Sequence, residues 1–162
     1  MDFTPIIWGA PSLPMNKTMV AAHPALTWYA TYVIDLTTAF TTTSPSKYYC
    51  SYATLINADQ STIKGPDTIC NHYMHVYGQF EKCVHDHIRT FALSNDEFGT
   101  HMLVVEMINN LHLKDGKGVV PLPQAFTYEL SPAQEGAGTY GLQICKERCY
   151  FDMGLLQRAA NA

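Results

Sequence analysis

The chain has 162 residues, one domain's length and enough to bury a real core. Only 15% of it is charged while 47% is hydrophobic, against about 25% charged in ordinary domains. Ten Lys plus Arg stand against fourteen Asp plus Glu, for a net charge of -4. No basic run offers phosphate a positive stripe, so nucleic-acid binding is excluded as a function class. Apolar runs are only a few residues long, where a membrane span needs about 20. The opening MDFTPIIWGAPSLP lacks the basic start and apolar stretch of a signal peptide, so the expected location is cytoplasmic. Low charge points to a surface hidden in an oligomer, to an interior lined by neutral polar groups, or to both.

The elements follow in chain order. Residues 1–20 carry Pro5, Gly9, Pro11 and Pro14 without a period and read as an arm draped over the domain through Ile6, Ile7 and Trp8. A helix is predicted from Pro24 to Phe40, with proline at its first position. Leu26, Tyr29, Val33, Leu36 and Phe40 recur at threes and fours; Trp28, Tyr32, Asp35 and Ala39 form the adjoining stripe. KYYCSYATLIN, residues 47–57, reads as a strand, and Thr62–Ile63 as a short one after the polar turn. Gly65-Pro66-Asp67 starts a second helix that buries Ile69, Tyr73, Val76 and Phe80 and ends near Lys82.

Beyond that point the period drops to two. Four long strands are expected at about 83–93, 99–114, 119–130 and 139–152, joined by turns at Asn95–Gly99, Lys114–Gly118 and Pro132–Gly138. Pro121 and Pro123 suit an edge or an irregular strand start. The final LLQRAANA reads as a tail, giving an arm at 1–20, a domain at 21–154 and a tail at 155–162. This order predicts an α+β fold, a curved, mostly antiparallel sheet wrapped around helices and enclosing a cavity. Leu26, Val33, Phe80, Val104 and Phe126 are expected to be buried.

Histidines are the sharpest chemical feature. In CVHDHIRTF, regular alternation puts His85, His87 and Arg89 on one face and Asp86 on the other. In THMLVVEMINNLH, His101 and Asn109 share one face; Glu106, Asn110 and His112 share the other. A bulge in either strand would change this. A cavity-facing histidine exchanges protons near neutral pH. Asp35 is a candidate partner, and Tyr29, Tyr32, Tyr49 and Tyr52 can donate to a developing oxyanion. The plain structural alternatives are a solvated His85, a core His87 bonded to a backbone carbonyl, and an Asp35 that bonds a neighbouring element. His72 and His75 read as surface residues, and Glu147 and Arg148 as surface or interface charges.

An H-x-H pair at 85 and 87, with Glu106 or His101, would also serve a metal. Cys50, Cys70, Cys83, Cys145 and Cys149 show no CxxC, and free thiols are expected. Glycine-rich phosphate loops, nucleophile elbows and dinucleotide fingerprints are absent; GAGTYG at 136–141 joins two strands. No cofactor is expected.

Two stretches, YGQFEKCVHDHIRTFAL and the pair GTHMLVVEMINNLHL with QAFTYEL, together with the element order, resemble the nuclear transport factor 2 (NTF2-like) superfamily over residues 22–152. Within it the likeness is to SnoaL-like polyketide cyclases, ketosteroid isomerases and scytalone dehydratases. The resemblance implies an NTF2-like cone and a histidine after the second helix, where His87 or His85 stands. It implies a scytalone-dehydratase-like set in which His87 and His112 match the histidine pair and Tyr32 and Asp35 are loose counterparts of the helix residues. Tyr29 or Tyr32 matches the isomerase tyrosine, while no late-strand aspartate stands where its protonated acid belongs. The implied function is a cofactor-independent isomerase, dehydratase or cyclase acting on a small apolar polyketide- or terpenoid-type carbonyl compound, as in fungal secondary-metabolite biosynthesis. The preferred base is His87, oriented by Asp35, with Tyr29 or Tyr32 steadying the enolate and His112 or His101 returning the proton. The expected assembly is a homodimer. The alternatives are a non-catalytic small-molecule binding or scaffold protein and a metal-dependent enzyme using His85 and His87.

Overall fold

The computed structural model describes residues 6–8, 23–38, 43–95 and 97–161, with the backbone alone at 6–8, 37, 38 and 87. The described strands are β1 (Ile6–Trp8), β2 (Tyr49–Ile56), β3 (Thr62–Lys64), β4 (Lys82–Asn95), β5 (Thr100–His112), β6 (Val119–Pro132) and β7 (Leu142–Phe151). The described helices are α1 (Pro24–Thr38), α2 (Pro66–Tyr77) and α3 (Met153–Ala160). The strands form one sheet in the order β1-β4-β5-β6-β7-β2-β3. Every pairing is antiparallel except β2 with β7.

The sheet has an inner and an outer face. Leu103, Val105, Met107, Asn109 and Leu111 of β5 are buried, as are Leu122, Gln124, Phe126, Tyr128 and Leu130 of β6. Their alternation defines the inner face. α1 packs there through Trp28, stacked on Tyr32 at 4.9 Å, with Tyr32 edge-on to Tyr128 at 5.7 Å. Leu26, Phe80 and Phe126 are buried as expected, whereas Val33 is half-buried. Val104 is also half-buried: its register against Phe91 and Thr127 puts it on the outer face, because the buried set of β5 falls on odd numbers.

Three elements depart from the sequence reading. α2 stops at Tyr77 instead of running to Lys82, closed by Gly78, whose N–H bonds Met74 O at 2.9 Å. Residues 155–160, expected as a tail, lie in α3. Asp152 caps that helix by accepting from Leu155 N at 3.0 Å, and Leu156 and Ala159 are buried beside Phe80, Leu111 and Leu122. In the arm, the described residues Ile6–Trp8 are a strand paired to β4 at Thr90–Ala92; the other arm positions and Phe40 lie outside the described residues.

Pro121 and Pro123 fall in β6, which is central, yet they break no ladder. β7 begins to pair only at Gln124, so both prolines sit where β6 has a neighbour on one side alone. Among the described residues, no helix is long and apolar enough to cross a membrane.

Candidate functional site

Among the described residues, the charged side chain buried in the inner face is Glu147 on β7, 1% exposed. Its strand neighbours are Tyr128 and Leu55, and two phenols donate to it: Tyr73 at 2.6 Å to Oε1 and Tyr49 at 3.1 Å to Oε2. The Tyr49 hydroxyl also bonds that of Tyr32, at 2.7 Å. α1, β2, α2 and β7 therefore contribute one connected chain, Tyr32–Tyr49–Glu147–Tyr73. Burial pushes the Glu147 carboxyl up to about 7, against the pull of the two phenol bonds. Burial first, and then the Glu147 charge, holds the phenols of Tyr29, Tyr32, Tyr49 and Tyr73 above their ordinary value, and burial, then Tyr32 and Glu147, does the same for Tyr128, so all keep their protons. Tyr29 has a buried hydroxyl with no partner among the described residues.

A second polar group lies further along the same face. His85 pairs across the strands with Asn109, and Gln124 pairs with Met107, diagonal to Asn109. Asn109 is wholly buried and Thr90 is 1% exposed. His85 Nδ1, Thr90 Oγ1, Gln124 Oε1 and both amide atoms of Asn109 lack a partner among the described residues. His85 is half-buried as a residue, but Nδ1 is shut off from water, and that desolvation lowers its imidazole to about 4. The two groups are linked: Gln124 Nε2 donates to the Tyr77 hydroxyl at 2.9 Å, and Tyr77 stacks on Tyr73 at 6.0 Å.

The other expected site residues are dispersed. The side chain of His87, the preferred base, lies outside the described residues. Asp35 does not face the histidines: it binds Lys47 Nζ at 2.6 Å and the Tyr48 hydroxyl at 2.5 Å. Those two bonds hold its carboxyl below the usual range. His112 stands with the outer-face residues of β5, opposite Lys82 and Val119. His101 Nδ1 meets Ser94 Oγ at 2.8 Å, and His23 Nε2 meets the same hydroxyl at 2.7 Å, a clasp that fixes the start of α1 to β4. Tyr52 is 66% exposed. A register shift between Asp86 and Arg89 separates Arg89 from His85 and turns it to the outer face, opposite Glu106. Among the described residues, no three His, Cys, Asp or Glu side chains cluster as metal ligands.

Sequence reading missed Glu147, taking it for a surface or interface charge where the structure buries it. The available signal was its parity with Cys149 and Phe151, which puts it among inward-facing residues. Tyr73 was read as buried, but its hydroxyl was given no part. The described hollows nearest the histidine strands open on the outer face, one of about 590 Å³ beside Arg89, Glu106 and Tyr150. The buried chemistry lies on the opposite face, so that hollow is a surface feature and not the seat of the acid.

This architecture is the NTF2-like, ketosteroid-isomerase-like cone: an α+β fold with a curved, mixed sheet around helices. No protein-family model matches the chain. No curated protein matches it in sequence. Solved structures match its fold. A protein from Kribbella flavida superposes with a TM-score of 0.65 at 12% identity, covering 89% of this chain and 100% of its own. A protein described as a candidate dehydratase of the NTF2-like family, from Streptomyces avermitilis, gives 0.61 at 9% identity over 85% and 98%. A hypothetical protein of ketosteroid isomerase-like fold from Catenulispora acidiphila, solved with trimethylamine, gives 0.50 at 15% identity over 80% and 91%.

Proposed function

We propose that the chain is a cofactor-independent acid–base catalyst, an isomerase, dehydratase or cyclase, for a small and largely apolar carbonyl compound held inside the cone. The observation that carries this is the buried Glu147 carboxyl, poised near 7 and wired to tyrosine hydroxyls, with the unpartnered Tyr29 hydroxyl in its electrostatic reach. A group poised near the working pH is efficient both at taking and at giving a proton. Each Glu147 oxygen keeps lone-pair capacity beyond its phenol bond. Ionised Glu147 removes a proton from the carbon next to the carbonyl. The electron pair moves onto the carbonyl oxygen, where Tyr29 donates to the enolate. The proton then returns to a different carbon, or a β-hydroxyl leaves as water, or the enolate closes a ring on a second carbonyl. Glu147 is an acid in the last strand, and in this reading it does the acid's work that the resemblance implied for a late-strand aspartate not found here. His87, on β4, is a proposed second proton carrier. The working location proposed is the cytoplasm, and the working unit a homodimer.

The test uses β-tetralone, an apolar ring ketone with acidic α-protons, followed by proton NMR in deuterium oxide. The chain should speed α-exchange, and Glu147→Gln should cost about 100- to 10,000-fold, the usual loss for a proton-transfer group. Tyr29→Phe should lower the rate with little effect on binding, and His87→Gln belongs in the same series. If Glu147→Gln exchanges protons at the parent rate while circular dichroism is unchanged, Glu147 is not the acid–base group.

A further inference from the structure

Around Cys145 the sheet's ladder is interrupted on both sides. Tyr49 of β2 pairs with Ile144, and the next partners in register are Thr54 and Lys146, so Cys50–Ala53 stand against Cys145 alone. On the β6 side Leu130 pairs with Ile144 and Glu129 with Lys146, which leaves Cys145 as the extra residue of a bulge. Just before the break the strands are joined: Ile144 N donates to Tyr48 O at 2.7 Å. Tyr49 and Ile144 are both wholly buried on the inner face. The residues that follow them, Cys50 and Cys145, therefore come side by side on the outer face of neighbouring strands. Adjacent strands lie about 4.8 Å apart, and a disulfide needs its α-carbons roughly 4.4–6.8 Å apart. The Cys50 thiol is within electrostatic reach of Cys145. Cys145 is half-buried and lines a hollow of about 370 Å³ with Leu93, Met102 and Glu129, while Cys50 is 1% exposed. Both are free thiols, and Cys145 Sγ donates to Glu129 O at 3.1 Å.

We propose that Cys50 and Cys145 are a reversible cross-strand disulfide site, with Cys145 as the thiol that attacks an incoming small disulfide and Cys50 as the one that resolves it. Cys145 lines the hollow and is reached first. Its thiolate attacks one sulfur of the small disulfide, whose S–S bond breaks and whose other half leaves as a thiol, carrying the proton that Cys145 gave up. Rotation about the Cα–Cβ bond then swings Cys145 Sγ from Glu129 on β6 toward Cys50 on β2. The Cys50 thiolate attacks that sulfur, the second small thiol leaves with the Cys50 proton, and the bridge is closed. Two protein thiols are oxidised and one small disulfide is reduced. The other cysteines are poorly placed for this. Cys83 stands opposite Leu111 and Cys149 opposite Phe126. Burial pushes Cys70 and Cys149 up to about 12 and Cys83 up to about 11, so they give few thiolates. Burial, then Glu129 and Cys50, also hold the Cys145 thiol above its ordinary value, which makes closure slow at neutral pH and faster in mild alkali. The bridge fastens the strands that carry Tyr49 and Glu147 at the point where their own hydrogen bonds lapse. It also closes a long loop of the unfolded chain, the case in which a disulfide stabilises most.

The experiment treats the full chain with 2-hydroxyethyl disulfide, a small neutral disulfide, in mild alkali. Remaining thiols are then blocked with iodoacetamide and the peptides mapped by mass spectrometry. Two of the five thiols should escape blocking, and one bridge should join the peptide holding Cys50 to the peptide holding Cys145. Dithiothreitol should restore both thiols. The bridged chain should unfold at a higher urea concentration than the reduced chain, and lose that advantage on reduction. Cys145→Ser should abolish both the bridge and the urea shift. Cys50→Ala should stop at the mixed disulfide on Cys145. The map of the parent needs no variant, so it decides even where a substitution unfolds the chain. Thiols that all stay free, a mixed disulfide on Cys145 that never resolves in the parent, a bridge made by Cys70, Cys83 or Cys149, or a bridged chain that unfolds at no higher urea would each overturn the site. None of these readouts involves turnover, so they stand apart from the β-tetralone test of Glu147.

Discussion

Glu147 and His85 pull the pH dependence of stability in opposite directions. Glu147 has its carboxyl raised from 4.5 to about 7 in the fold. Between those values the unfolded chain releases a proton that the folded chain keeps, so stability falls as pH rises, by up to about 3 kcal/mol. His85 is lowered from 6.5 to about 4. Between those values the unfolded chain binds a proton that the folded chain refuses, so stability rises with pH. The two slopes oppose each other from about 4.5 to 6.5 and partly cancel there. Glu147→Gln removes one of them. Urea unfolding should therefore show stability rising more steeply with pH over that window in the variant than in the parent. Parallel curves for the two proteins would mean that Glu147 titrates normally in the fold. The chemistry of Glu147 was not legible in the sequence because a lone glutamate between Lys146 and Arg148 looks like surface charge. Its partners come from positions 49 and 73, and only the folded sheet and helix bring them to it.

At the level of elements, strand and helix periods were legible because each long element repeats its apolar side many times. β4, β5 and β6 lie within a few residues of the expected spans. What failed was local. The register shift in β4 moved Arg89 across the sheet, since one extra residue reverses every later side chain and leaves no trace in composition. α3 was missed because only eight residues carry its pattern, although its signals were present: Asp152 at the cap, then Leu156 and Ala159 three apart. The cap gives a direct check. Asp152→Ala should lower stability by about 1 kcal/mol in urea unfolding, the usual worth of an N-cap side chain. Asp152→Asn should cost only a few tenths, because it keeps the acceptor and loses only the charge that faces Arg158 at 3.9 Å across solvent. Equal losses in the two variants would assign the effect to the ion pair instead.

For the molecule as a whole, the low charge foreseen in the composition is spent in two places. Inside, neutral tyrosines, Asn109 and Gln124 replace ions. Outside, the sheet face carries Val84, Met102, Val119 and Tyr150 at 40% exposure or more. The parallel pairing of β2 with β7 was beyond sequence reading, because it joins strands almost a hundred residues apart with no hairpin between them. It matters here because it leaves β4, β5 and β6 in mid-sheet, with their outer face uncovered by the described helices. The hollow of about 590 Å³ on that face runs over Ile108, Pro123 and Ala125 and is flanked by Arg89 and Glu106. Arg89 and Glu106 are opposite in register, yet no ion pair joins them in the described structure. A second copy turned about a two-fold axis would set Arg89 of each chain toward Glu106 of the other and cover the apolar strip between them, which is the self-complementarity an isologous dimer requires. The chain should therefore run in light scattering at twice its 18.1 kDa mass at micromolar concentration. Ile108→Arg, which puts a bulky charge in the middle of that strip, should return it to the single-chain mass with its circular dichroism unchanged. A parent that is already monomeric, or a variant that stays dimeric, would place any self-association elsewhere on the surface.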